Sequence, residues 1–137
     1  MDIIRQVIVF DAADLEAESA FWAGMFGGRV LPDGDWHNVI DADDRWVIGV
    51  QSAPNHVPPT WPDGAPQQVH IDFHVTDPDA SHERAIALGA RLLKDGDRTE
   101  REGYRVYADP AGHPFCIGWG QPDEESVRRY VRSQPSP

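Results

Sequence analysis

Hydrophobic positions in the first third of the chain predict a strand, a turn and then a helix. Residues 3–10 are rich in β-branched side chains, which favour a β-strand. From Asp14 onward, apolar side chains recur at helical spacing, and Asp14 itself is a typical N-cap residue. Gly27 and Gly28 follow and are expected to end the helix. Three short strands are predicted next, at residues 29–31, 36–40 and 45–51.

A proline-rich segment, residues 52–68, follows these strands. Its five prolines exclude a helix or an interior strand: Pro54, Pro58, Pro59, Pro62 and Pro66. The segment is longer than a usual loop between neighbouring elements. We therefore expect either a functional loop or a connector between two structural units.

The second half of the chain repeats the pattern of the first. It predicts a strand at residues 69–76, a helix that opens at Asp77 and ends at Gly89, and further strands at residues 90–94, 104–108 and 114–119. Asp77 follows Asp14 by 63 positions, and Gly89 follows Gly27 by 62. This near-constant offset indicates an internal duplication.

Together these elements predict one α+β domain over residues 1–137 that is built from two βαβββ modules. The modules span residues 3–51 and 69–119, the connector spans residues 52–68, and a C-terminal tail covers residues 120–137. A unit of this size buries too little surface by itself, so the two modules should pack together.

Length, charge and cysteine content narrow the functional classes. A chain of 137 residues forms one ordinary domain, and its net charge of -11 opposes binding to nucleic acid or to an anionic membrane surface. No apolar run is long enough for a signal peptide or a membrane span. The single cysteine, Cys116, excludes an internal disulfide and fits a cytoplasmic location.

The strand at residues 69–76 alternates strictly between apolar and polar side chains. His70, Asp72, His74 and Thr76 share one face, and valine, isoleucine and phenylalanine occupy the other. His70 and Asp72 are neighbours on the polar face, where a carboxylate can orient an imidazole for acid-base chemistry. The alternative is that this face is simply solvated, as in many antiparallel sheets.

Four short motifs make the chain similar to the vicinal oxygen chelate superfamily, which contains glyoxalases, bleomycin-resistance proteins and extradiol dioxygenases. They are Pro58-Pro59-Thr60-Trp61-Pro62, Gln68-Val69-His70-Ile71-Asp72, Leu88-Gly89-Ala90 and Asp109-Pro110-Ala111-Gly112-His113. The resemblance covers most of the chain and points to the small glyoxalase-like branch. It implies that the paired modules curl a mixed sheet into a cup, with the helices outside and a binding cleft on the concave face.

The resemblance also implies four positions for a divalent metal, one on the first and one on the last strand of each module. In this sequence they hold Val7, Gly49, His70 and Cys116. Because valine and glycine side chains offer no donor atom, only two of these positions can bind a metal. We therefore expect no cofactor, with a divalent metal bound weakly through His70 as the alternative.

The same resemblance and the strand parity indicate which other residues face the cleft. Arg5 lies on the face of Val7, His74 on the face of His70, and Tyr104 and Val106 occupy positions that face the cavity in related glyoxalases. Such a cleft is partly apolar with a few polar groups, which suits a small organic molecule. We expect Cys116 to be a buried, unreactive thiol within it.

Three functions remain open from the sequence. In the first, His70 assisted by Asp72 moves a proton in a lyase or isomerase step on the bound molecule. In the second, the protein sequesters a drug or metabolite without catalysis, as bleomycin-resistance relatives do. The third is metal-dependent glyoxalase or dioxygenase chemistry, which the missing ligands oppose. A homodimer is also expected, because exposed sheet edges need cover.

Overall fold

The chain folds into two βαβββ modules in the predicted order. The computed structural model describes residues 1–134, so residues 135–137 of the predicted tail lie outside the described residues. The first module contains β1 (Ile8–Ala12), α1 (Leu15–Met25), β2 (Arg29–Asp33), β3 (Trp36–Ile40) and β4 (Trp46–Ser52). The second contains β5 (Ile71–His74), α2 (Pro78–Leu88), β6 (Arg91–Lys94), β7 (Gly103–Ala108) and β8 (Pro114–Trp119). Helix α3 (Glu124–Ser133) follows.

Each module forms its own four-stranded mixed sheet. The strand orders are β1-β4-β3-β2 and β5-β8-β7-β6, so the same topology occurs twice. In both sheets the first strand runs parallel to the last, and the other pairs are antiparallel. The predicted α+β fold with two βαβββ modules is therefore confirmed. The two sheets remain separate and do not close into one.

Capping side chains begin the two module helices where the sequence predicted. The carboxylate of Asp14 accepts a hydrogen bond from the Ala17 amide at 2.9 Å, and Asp77 accepts from Ala80 at 3.0 Å. Gly89 ends α2 with a left-handed φ of 111°, which favours glycine. After each helix the chain turns and enters a strand of the same module's sheet, β2 after α1 and β6 after α2.

Aromatic packing joins the modules through helix α1. The Trp22 ring is fully buried, and its centroid lies 5.3 Å from that of Phe10 on β1. It also lies 5.4 Å from Phe115 on β8 and 5.9 Å from Phe73 on β5. One helix of the first module thus packs against both sheets, which explains how two small modules share one core.

The structure changes the bounds of several predicted elements. Strand β1 begins at Ile8, so Arg5 and Val7 precede it, and β5 begins at Ile71, so His70 lies just before that strand. Strand β2 extends through Pro32, beyond its predicted end at residue 31; an edge strand tolerates proline because its outer side has no ladder partner. Among residues 1–134, no helix has the length and apolar character needed to cross a membrane.

Candidate functional site

The largest cavity described lies on the open face of the second sheet and has a volume of about 610 Å³. Six predicted site residues line it: His70, Asp72, His74, Tyr104, Val106 and Cys116. The opposite face of the same strands packs into the core through residues such as Phe115 and Ile117, each 1% exposed. Alternation along each strand therefore separates the cavity side chains from the core side chains.

The register of the sheet places the cavity residues in two rows. Asp72 on β5 pairs with Cys116 on β8, and Cys116 pairs with Val106 on β7. The next row contains His74, Gly118 and Tyr104 in the same order. Because directly paired residues share a face, the first row brings a carboxylate next to a thiol.

His70, Asp72 and Cys116 converge at the floor of this cavity. One donor atom from each of the three side chains lies within 4.8 Å of the other two. The His70 Nε2 to Asp72 Oδ1 distance is 3.4 Å, which is long for a hydrogen bond. Two ligands of one tetrahedral ion with metal–ligand bonds near 2.1 Å lie about 3.4 Å apart. The cluster therefore fits a divalent ion with a small closing movement.

Gln67 supports His70 from the end of the connector. Its Nε2 lies 3.1 Å from Nδ1 of His70, on the other side of the ring from Asp72. A histidine that binds a metal through Nε2 donates a proton from Nδ1, so the Gln67 amide would have to turn its Oε1 toward Nδ1 to orient a metal-bound His70. The Oε1 atom of Gln67 is buried and has no hydrogen-bond partner among the described residues.

Cys116 is protonated in the absence of an ion. Burial, together with the hydrogen bond and charge of Asp72, raises the pKa of its thiol to about 12. A thiol with so high a pKa is a poor nucleophile at neutral pH. The geometry therefore favours a binding role for Cys116 over a free catalytic thiolate.

Three predicted site residues lie away from this cavity. The Arg5 guanidinium stacks on the Trp46 ring at 4.1 Å from its centroid. A Cβ added at Gly49 would lie 2.4 Å from Cζ2 of Trp36, so the tryptophan ring occupies the space that a ligand side chain would need there. Val7 precedes β1 in the first module. Their assignment to the site remains a prediction.

The cavity also contains residues that strand parity did not identify. Gln67 and Trp61 come from the connector, and Glu102 and Gln121 lie just before β7 and just after β8. These four positions lie outside regular strands, so alternation gives no information about them. Gln67 lies three residues before His70, a spacing that predicts no contact outside a helix.

A second cluster of titratable side chains is buried between the modules. His113 Nδ1 lies 3.0 Å from Oδ2 of Asp109 and 3.4 Å from Oε1 of Glu18. Burial alone would lower the pKa of His113, but the two carboxylates raise it to about 9. Burial also raises the pKa of Glu18 to about 7. Glu18 accepts from the Trp22 indole and the Ala111 amide, so the cluster ties helix α1 to the turn between β7 and β8.

Comparison with known proteins identifies a family for this chain. Residues 7–118 match the family model described as a glyoxalase-like domain. Metallothiol transferase FosB of Lysinibacillus sphaericus is 26% identical over 111 residues, which cover 79% of this chain and 76% of that protein.

Solved structures agree with this assignment at the level of the fold. Fosfomycin resistance protein FosX from Listeria monocytogenes is 20% identical with a TM-score of 0.66, covering 93% of this chain and 99% of its own. A glyoxalase/bleomycin resistance protein/dioxygenase family enzyme from Burkholderia phytofirmans is also 20% identical, with a TM-score of 0.62 and coverages of 84% and 97%.

These findings correct the expectation that the protein has no cofactor. That expectation is wrong, because the matched relative is a metallothiol transferase and metal is part of its named activity. Donors were counted at four ligand positions only, so Asp72 was assigned to acid-base chemistry with His70 and not to a metal. The register places Asp72 beside Cys116, so the cavity has three donors where two were counted. The matched family model, with which the fold and the cavity agree, shows that the chain belongs to the glyoxalase-like domain family.

Proposed function

We propose that this protein is a metal-dependent enzyme that acts on a small organic molecule in the cavity of the second sheet. The observation that carries the proposal is the convergence of His70, Asp72 and Cys116 within 4.8 Å at the floor of a cavity of about 610 Å³. A cavity of that volume accommodates a molecule of modest size. Three protein donors leave at least one coordination position for the bound molecule, as in catalytic metal sites.

The residues around the donors divide into holding, orienting and proton-handling roles. His70 Nε2, an Asp72 carboxylate oxygen and Cys116 Sγ would hold the ion, which when bound supplies Lewis-acid polarisation of an oxygen atom. Tyr104 and Val106 provide a partly apolar wall against which the organic part of the molecule can pack. His74 lines the same cavity outside the donor cluster, so its imidazole can accept or return a proton.

The matched relative suggests a first reaction class to examine. Its name assigns it the transfer of a thiol, and its identity to this chain is 26%. Transfer of a small soluble thiol onto an organic electrophile needs a polarised electrophile and an acceptor for the thiol proton. The donor cluster and His74 offer these two functions within one cavity.

A turnover assay with metal-free protein and metal added back tests the proposal. We expect thiol transfer to epoxides or activated alkenes to require the metal, and His70→Ala and Asp72→Ala to lower kcat/KM by about 100-fold or more. Asp33→Ala is the matched control, because Asp33 is an exposed residue on β2 of the first module. Turnover that is independent of metal would contradict the proposal.

Proton transfer by His70 with Asp72, without an ion on that imidazole, is the main catalytic alternative. In this mechanism Nε2 of His70, which lies 3.4 Å from Oδ1 of Asp72, carries a proton instead of binding an ion. In that case His70→Ala abolishes turnover in metal-free protein as well. The metal-free wild type therefore separates the two mechanisms before any variant is made.

Non-catalytic sequestration of a drug or metabolite is a second candidate function. The first module favours this function. Val7 and Gly49 occupy two of the four metal positions implied by the resemblance, and neither side chain has a donor atom or a titratable group. The same cavity would then bind the molecule without changing it. Saturable binding with no turnover for any thiol and electrophile pair would support this function over the enzymatic one.

A cytoplasmic homodimer completes the proposal. Ile8 and Val9 lie on β1, an edge strand, and are 39% and 42% exposed. Exposed apolar residues on an edge strand are usually covered by another chain, and a second copy of this protein is the simplest cover. We expect light scattering at micromolar concentration to give the mass of a dimer; the mass of a monomer would contradict this part of the proposal.

A further inference from the structure

We infer that Cys116 makes the cavity site selective for thiophilic divalent ions, such as Zn²⁺ and Co²⁺, over Mg²⁺ and Mn²⁺. The inference rests on the proposed function, because it concerns the ion that the same three side chains would hold. It goes further by naming the class of ion. The chemistry of the three donors and the place of Cys116 in the sheet both favour such ions.

The donor set combines nitrogen, oxygen and sulfur. His70 offers an imidazole nitrogen, Asp72 a carboxylate oxygen and Cys116 a sulfur, all within 4.8 Å of one another. Mg²⁺ and Mn²⁺ are held best by carboxylate, carbonyl and water oxygens, whereas thiolate sulfur selects softer ions of the zinc class. A cluster in which one of three donors is sulfur therefore disfavours the oxygen-seeking ions.

The sheet fixes the backbone of Cys116 and therefore the position from which its sulfur enters the site. Cys116 lies in the middle of β8 and is paired with Asp72 on one side and Val106 on the other. Its chain neighbours Phe115 and Ile117 are both 1% exposed, so they anchor β8 in the core. An ion bound between His70 and Asp72 consequently meets Sγ as its third protein donor.

The other donor cluster of the described chain cannot mimic a sulfur ligand. It consists of Glu18, Asp109 and His113, which offer only oxygen and nitrogen. Cys116 is the single cysteine of the whole sequence. Any spectroscopic sign of a metal–thiolate bond in this protein therefore reports on Cys116 alone.

Cobalt titration of the full-length, metal-free chain tests the inference without any activity assay. We expect Co²⁺ to produce a near-ultraviolet thiolate-to-cobalt charge-transfer band that saturates near one equivalent. The band should be absent in Cys116→Ser and Cys116→Glu. In competition experiments, Cys116→Glu should lower the ratio of Zn²⁺ to Mn²⁺ affinity by about 10-fold or more, because a carboxylate replaces the sulfur.

The outcomes separate this inference from the function on which it rests. Cobalt binding without the band, or an unchanged Zn²⁺ to Mn²⁺ ratio in Cys116→Glu, overturns the selectivity inference and leaves the metal site itself standing. Failure of the wild-type protein to bind any of these ions overturns both. Circular dichroism checks that each variant folds, and the smaller Cys116→Ser change decides the matter if the longer glutamate side chain disrupts the strand.

Discussion

Single side chains around the cavity decide whether an ion can be held, and Gln67 illustrates how. Its amide contacts Nδ1 of His70 at 3.1 Å. When His70 binds an ion through Nε2, its remaining proton lies on Nδ1. Rotation of the Gln67 amide then presents Oε1, which has no partner among the described residues, as the acceptor for that proton. One side chain can thus serve both the metal-free and the metal-bound tautomer of His70.

Removing the Gln67 amide is expected to weaken metal binding without touching a donor atom. Gln67→Leu should lower Zn²⁺ affinity by about 10- to 100-fold, as for other partners of metal-binding histidines. Isothermal titration with Zn²⁺ measures the change. Gln68→Leu is the control, because Gln68 is exposed and does not line this cavity. Equal affinities for the wild type and Gln67→Leu would show that Gln67 does not orient His70.

Among the structural elements, a close backbone contact sets how helix α1 returns to its sheet. Gly28 follows α1, and a Cβ added there would lie 1.7 Å from the carbonyl oxygen of Ile40 on β3. Backbone on both sides of this contact cannot move without disturbing the β2–β3 pair. Only glycine, which has no Cβ, therefore fits at this junction of helix and sheet.

Gly28→Ala is expected to lower the free energy of unfolding by about 3 kcal/mol or more, since overpacking against backbone has no flexible side chain to absorb it. Urea denaturation measures the loss. Gly34→Ala is the control: Gly34 has a φ of 59° but nothing lies within 4 Å of an added Cβ. It should cost about 1 kcal/mol, the cost of a left-handed alanine. A Gly28→Ala loss no larger than that of Gly34→Ala would contradict the packing argument.

The elements themselves could be predicted from sequence because each has a local signal. Asp14 and Asp77 cap the helices as expected, and the alternation after His70 places Asp72 and His74 on the open face. No local sequence pattern indicates which residues of two distant strands pair with each other. The register that sets Asp72 beside Cys116 is therefore visible only in the folded sheet, and the metal expectation failed for that reason.

Cavity residues outside the strands escaped prediction for a related reason. Trp61, Gln67 and Gln121 reach the cavity from the connector and from the segment after β8. Their positions depend on how irregular backbone crosses the molecule, and no periodicity describes that path. Conversely, the sequence assigned Gly49 to the site, while in the structure Trp36 fills the space beside it.

For the whole molecule, the buried cluster between the modules links stability to pH. The folded-state pKa of His113 is about 9, above its usual value of 6.5. The protonated imidazole is thus favoured by folding. Its contribution is complete below pH 6.5 and is lost as the pH rises through about 9. The raised pKa of Glu18 acts in the same direction.

We therefore expect the wild-type protein to be less stable at about pH 9.5 than at about pH 6, by an amount on the order of 2–3 kcal/mol. Urea denaturation at the two pH values measures the difference. His113→Asn removes one titrating group and should reduce this dependence without abolishing it, because Glu18 also titrates in this window, and it lowers stability overall. A wild-type stability that rises with pH in this window would show that the imidazole is not held in its charged form by Asp109 and Glu18.

The cavity on the second sheet is the place in the molecule where three side chains would hold a divalent ion. The most direct measurement is anomalous diffraction at the zinc absorption edge from crystals of the full chain grown with Zn²⁺. We expect one strong peak bonded to a His70 nitrogen, an Asp72 oxygen and the sulfur of Cys116. A peak at Glu18, Asp109 and His113 instead, or no peak in the cavity, would contradict it.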